Sequence, residues 1–181
     1  MNPEQCDQRA DGVWVCADCG FACDLTAEAV SARLSNASAR VRQTLVSISA
    51  DRLDAMPAPG AWTPREYLAH LTDWSEIIAE RINLIVHQDQ PVLPGMDQDA
   101  LATERAYASW PVAETLDRYA AAVDRTRGML DDLTPADWDR QGLRDDINRL
   151  LPLSLFANDL IHELEHHLRD IVGDQPKRRL V

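Results

Sequence analysis

The sequence predicts an all-α protein, a bundle of four long helices with a small cysteine knuckle at its N-terminus. Three observations lead there. Apolar residues recur at steps of three and four over four separate stretches, which is the spacing of a helix with one buried face. No stretch of comparable length alternates apolar and polar residues as a half-buried strand does. All four cysteines, Cys6, Cys16, Cys19 and Cys23, fall within the first 23 residues. A disulfide-stapled secreted protein would spread them through its core, so clustering at one end points to a metal knuckle.

Residues 1–25 form that appendage. Val13-Trp14-Val15 reads as a short strand, Cys16 to Gly20 as a tight turn, and Phe21 onward as a return strand. Gly20 can take a positive φ without steric cost, which turns backbone amides toward the sulfurs. Two thiolates held this way, two residues apart, can share one zinc ion. From Thr26 the period becomes helical, with Val30, Leu34, Ala37, Val41, Leu45 and Ile48 forming one stripe. The rigid segment Met56-Pro57-Ala58-Pro59-Gly60 ends it.

The second helix has the clearest start. Thr63 caps it, Pro64 fits the first helical position and Glu66 completes a capping box. Its buried face is Tyr67, Leu71, Trp74, Ile78, Ile82 and Ile85. A long connection from His87 to about Trp110 then crosses the bundle, with a short helix expected over residues 98–108. The third helix runs from about Pro111 to Asp132. Thr134 to Trp138 reads as a capped single turn, and the last helix runs from Pro152 to Val172, where Gly173 stops it.

Thirty acidic against 18 basic residues leave a net charge of −12. That sign argues against a nucleic-acid partner, which needs an electropositive face. Only the tail Lys177-Arg178-Arg179 is locally basic. No apolar run approaches the ~20 residues of a membrane span. The start, MNPEQCDQRADG, has neither the basic nor the hydrophobic part of a signal peptide, so the expected location is cytoplasmic.

His162 and His166 stand four apart on the last helix, so both project from one face among core residues. Two imidazoles there can chelate a divalent ion, or equally serve as hydrogen-bonded core histidines. His70, on the inward side of the second helix, can complete a three-histidine site. Three protein ligands leave coordination positions open, as in catalytic rather than structural sites. Asp73 could orient His70, and Asp159 could orient His162, or both could be plain helix surface. His162-Glu163-Leu164-Glu165-His166 also spells the HExxH signature of zinc proteases. Only 15 residues follow His166, with no histidine among them beyond the adjacent His167, and the chain lacks strands to hold an extended peptide; a protease is not expected. Glu163 could still act as a catalytic base on metal-activated water, although an outward, solvated position is the plainer reading. His167 is expected at the rim, and His87 in solvent.

Pro59-Gly60-Ala61-Trp62-Thr63-Pro64, then Tyr67-Leu68-Ala69-His70-Leu71-Thr72-Asp73, and finally His162-Glu163, Glu165-His166-His167 and Asp170-Ile171, together resemble the DinB-like superfamily. That superfamily includes metal-dependent thiol transferases and mycothiol-dependent maleylpyruvate isomerases. The resemblance covers residues 26–173 and implies a four-helix bundle of DinB-like type, with a long crossover between the second and third helices. It implies a divalent metal (Zn, Ni or Fe) at the positions of His70, His162 and His166. Cys16-Ala17-Asp18-Cys19-Gly20-Phe21 likewise resembles a knuckle that some members carry before the bundle. If Cys6 and Cys23 join Cys16 and Cys19, a four-thiolate structural zinc site results; the alternative is a two-cysteine turn with the other thiols uncoordinated. The expected organisation is a knuckle over 1–25, a bundle over 26–175 and a basic tail over 176–181.

Where a reaction is known in this family, the metal commonly activates a low-molecular-weight thiol that attacks an electrophile. The resemblance therefore implies a mycothiol-like thiol S-transferase or isomerase, whose partners are a small-molecule substrate and a thiol, with a homodimer as an open assembly. Two other readings stand beside it: a metallohydrolase using activated water, and a non-enzymatic metal-binding module whose knuckle contacts a partner.

Overall fold

The computed structural model describes residues 6–173, Cys6 by its backbone alone, and the basic tail expected over 176–181 lies outside them. Strands β1 (Cys6–Gln8) and β2 (Trp14–Cys16) pair antiparallel, with Cys6 opposite Cys16. The expected return strand after Phe21 is reduced to a single bridge, Val15 to Ala22, and the partner of β2 comes from before it instead. Gly20 does take φ +73°, and its amide donates to the Cys16 carbonyl at 2.8 Å.

The first expected helix is two: α1 (Ala27–Leu34) and α2 (Ala37–Ser47). Ser35 Oγ and Asn36 Nδ2 both donate to the Ala32 carbonyl, at 2.8 and 3.2 Å. Such short polar side chains compete with the helical backbone ladder. The apolar stripe survives the break, since Val30, Leu34, Ala37, Val41 and Leu45 are all buried.

Helix α3 (Pro64–His87) starts as its sequence requires. Thr63 Oγ1 accepts from the Glu66 amide, and Glu66 Oε2 accepts from the Thr63 amide at 2.8 Å. The crossover that follows carries the short strand β3 (Val92–Leu93), helix α4 (Gln98–Glu104) and a single 3₁₀ turn, Tyr107–Ser109. Asp73, buried on α3, ties it down by accepting from Arg105 and from the Tyr107 hydroxyl.

Helix α5 (Val112–Asp131) leads to a hairpin of β4 (Gln141–Arg144) and β5 (Arg149–Pro152), and α6 (Leu153–Val172) follows at once. β4 pairs parallel with β3 and antiparallel with β5, so a three-stranded sheet caps one end of the bundle. The helical spacing gave no sign of this sheet. α3 packs on both α5 and α6, and the α1–α2 pair packs on α5 and α6 from the other side. The core between them includes Leu68, Ile78, Ile82 and Ile161, all fully buried. No helix among the described residues is long and apolar enough to cross a membrane.

Candidate metal centre

Helix α6 turns by about 100° per residue, so residues four apart share a face and the next residue looks along a neighbouring one. His162-Glu163-Leu164-Glu165-His166-His167 therefore holds two overlapping four-residue pairs. His162 and His166 form one, Glu163 and His167 the other. The structure sends them to different partners.

Glu163 and His167 meet His70 of α3. Glu163 Oε2 lies 3.1 Å from His70 Nε2 and 3.1 Å from His167 Nε2. His162 and His166 instead gather with Cys16 and Cys19, their ligand atoms all within 4.8 Å of one another. The expected set of His70, His162 and His166 is thus not brought to one point; His70 stands with the neighbouring pair. Glu163, expected on an outward face, is 5% exposed and lies between His70 and His167. His167, expected at the rim, is at the centre. The signal for this second pair in the sequence is the four-residue spacing of Glu163 and His167, the same as that of His162 and His166.

Charges in the His70–Glu163–His167 cluster are arranged around the carboxylate. Burial alone would raise Glu163, but His162, His167 and His70 around it hold it well below the usual carboxylate range. Burial lowers His70, against the pull of Glu163, and so favours its neutral imidazole. Burial would lower His167 too, but bonds to Asp170 and Glu163 outweigh it and raise His167 to about 9. Asp170 Oδ2 accepts from His167 Nδ1 at 2.8 Å, which fixes the ring so that Nε2 faces Glu163. Asp73 does not orient His70, because Arg105 and Tyr107 engage it. Asp159 does approach its histidine: Oδ1 is 3.5 Å from His162 Nδ1, while Oδ2 accepts from Trp74 Nε1 at 3.1 Å.

A divalent ion fits this donor set. Two imidazoles and one carboxylate are a known catalytic combination for zinc, with bonds of ~2.0–2.1 Å that place neighbouring ligand atoms about 3.0–3.4 Å apart. The two 3.1 Å separations around Glu163 Oε2 lie inside that range. A carboxylate on the far nitrogen of a ligating histidine, as Asp170 is on His167, is the usual support.

Glu163 and His167 of this cluster border a cleft of about 710 Å³, which His162 and His166 also line. Trp62, Tyr67 and Trp74 supply aromatic wall, Gly95 to Asp99 of the crossover supply another side, and Asp18 of the N-terminal turn reaches it. Arg81 also lines it, buried and stacked 5.5 Å from the Trp74 ring. Its Nη2 donates to the Pro94 carbonyl at 2.6 Å, while its buried Nη1 has no hydrogen-bond partner. Burial lowers Arg81 to about 10, so it remains a cation at neutral pH.

This fold and this histidine-rich helix define a class, the metal-binding DinB-like bundles. Residues 33–171 match the DinB superfamily, and the chain belongs to it. A curated relative from Oceanobacillus iheyensis, named "Putative metal-dependent hydrolase", is 27% identical over 100 residues; the match spans 55% of this chain and 58% of the relative. Among solved structures, YfiT from Bacillus subtilis, described as a probable metal-dependent hydrolase with an unusual four-helix bundle topology, superposes with a TM-score of 0.76 at 19% identity. That match covers 81% of this chain and 83% of YfiT. A mycothiol-dependent maleylpyruvate isomerase superposes with a TM-score of 0.66 at 14% identity, over 85% of this chain and 66% of the isomerase. At these identities the solved structures speak for the fold.

Proposed function

We propose that this protein is a divalent-metal-dependent enzyme whose open site is His70, Glu163 and His167, and that it activates a low-molecular-weight thiol for transfer or isomerisation. The observation that carries the reading is the three-donor cluster, two of whose members, Glu163 and His167, border a cleft far larger than a water molecule requires. Bound there, a divalent cation would supply Lewis-acid stabilisation of a thiolate, which a free thiol with a pKa of about 8.5 offers only sparingly at neutral pH. The chain's own residues do the rest. Glu163 brings negative charge to offset the cation, and Asp170 holds His167 in the ligating orientation. Trp62, Tyr67 and Trp74 keep water from one side of the cleft. Arg81, with one guanidinium nitrogen unengaged, suits a carboxylate on the thiol or its electrophile.

The names of two relatives favour a second reading, a hydrolase that activates water at the same donors. One experiment separates them. Metal-loaded protein is incubated with test electrophiles, with and without mycothiol, bacillithiol, glutathione or cysteine. Loss of the electrophile only when a thiol is present supports the first reading, and turnover without thiol supports the hydrolase. His70→Ala should abolish either activity. Asp170→Asn should weaken metal binding by ~10–100-fold, the usual effect of removing a ligand's carboxylate support. Full activity and metal content in both variants would rule out this site.

A further inference from the structure

The second cluster on α6 has a different chemistry. We propose that Cys16, Cys19, His162 and His166 form a closed four-ligand metal site of zinc type, which fastens the N-terminal hairpin to the last helix and is separate from the open cluster at His70. This inference does not depend on the proposed reaction.

Four observations converge on it. The ligand atoms of these four residues lie within 4.8 Å of one another, two of them from a Cys-x-x-Cys turn and two from one helix face. Bonds of ~2.3 Å to sulfur and ~2.05 Å to nitrogen at a tetrahedral ion place the two ligand atoms about 3.6 Å apart. Cys16 Sγ is 3.7 Å from His166 Nδ1. His162 is 4% exposed, yet neither of its ring nitrogens has a hydrogen-bond partner. Its Nδ1 faces the carboxylates of Asp159 and Glu163 at 3.5 and 3.3 Å, which leaves Nε2 for an ion. His166 is similarly backed, with Asp170 3.8 Å from its Nε2 while Nδ1 faces the sulfur.

The hairpin is also held in place for this task. The Leu25 amide donates to Asn158 Oδ1 at 2.9 Å, and Asn158 Nδ2 donates back to the Leu25 carbonyl at 3.2 Å. Arg169 donates to the Cys19 carbonyl at 3.2 Å, and the Phe21 ring packs 5.7 Å from His162. Two thiolates and two imidazoles complete a tetrahedral shell, leaving no position for substrate, which is the structural pattern. The four-thiolate alternative fits less well, because no group among the described residues brings Cys23 together with Cys16 and Cys19.

Cobalt(II) is the probe. His70→Gln protein, in which the open cluster is disabled, is loaded with cobalt and its absorption recorded. A thiolate-to-cobalt charge-transfer band is expected, kept in the additional Cys23→Ser change and lost in Cys19→Ser and in His166→Gln. In case those last two variants misfold, thiols of the unmodified zinc-loaded protein are titrated with and without a chelator. Two thiols should be shielded until the chelator is added. Absence of the band in His70→Gln, its loss in Cys23→Ser, its survival in both Cys19→Ser and His166→Gln, or chelator-independent thiol reactivity would each overturn the site. None of these outcomes bears on turnover at His70, so the two proposals fail separately.

Discussion

Asp146 accepts from Arg144 Nε and Nη2 at 2.9 and 2.7 Å, and the bidentate pair pins the β4–β5 turn at the edge of the cleft. Arg144 is buried, while the Asp146 side chain is 36% exposed, so the pair is worth only about 1 kcal/mol after solvent screening. The Arg144 hydrogen bonds hold the Asp146 carboxyl below its ordinary value. A depressed carboxylate lends stability above its unfolded pKa and loses it as pH falls through the lower, folded value. Asp146→Asn should therefore unfold at lower urea than the parent at pH 7, and the gap should close in acid, below about pH 4. At the start of α3, Thr63→Ala removes one arm of the capping box and should cost about 1 kcal/mol, read as a shift of the urea midpoint. Arg81→Met should raise KM for anionic substrates more than it lowers kcat, since Arg81 is placed to bind rather than react.

Among the secondary-structure elements, the β3–β4–β5 sheet shows where local pattern runs out. Its strands are two to four residues long, too short for alternation to register, and β3 pairs with β4 across 51 positions of chain, Val92 opposite Leu143. Gly142 makes that pairing possible: a Cβ there would sit 2.5 Å from Leu93 Cδ1 and 3.1 Å from Ile85 Cγ1. Gly142→Ala should destabilise the protein by ~1–3 kcal/mol, as overpacking of a filled core does, with unchanged helical circular dichroism at low denaturant. Helices α3, α5 and α6 were legible because their apolar spacing, caps and stops agree, from Thr63 and Pro64 to Gly173. The Ser35–Asn36 break was less so, because the stripe runs through it and only the side-chain bonds to Ala32 reveal it. For the sites, helical spacing pointed to α6 and His70, and His70 does meet Glu163 and His167 of that helix. It could not say which of two adjacent faces of α6 looks at α3 and which at the hairpin, because a 100° rotation is settled only by what packs on either side.

For the molecule as a whole, both ligand clusters exist only when distant segments have met, so a bound ion adds its binding free energy to folding. At an ion concentration of 100 times Kd, one site contributes ~2.7 kcal/mol. Adding a chelator to metal-loaded protein should therefore lower Tm, with re-addition of zinc restoring it; an unchanged Tm would count against both sites. Cys16 and His166 are 150 residues apart in sequence yet 3.7 Å apart in space. A ribosome builds from the N-terminus, so the two hairpin cysteines emerge long before the helix that answers them has been made. They must wait in a nascent chain, exposed to whatever oxidants or stray metals are near, until α6 clears the exit tunnel. Closing so long a loop is also slow, which makes docking of the hairpin a late step of assembly rather than a nucleus for it.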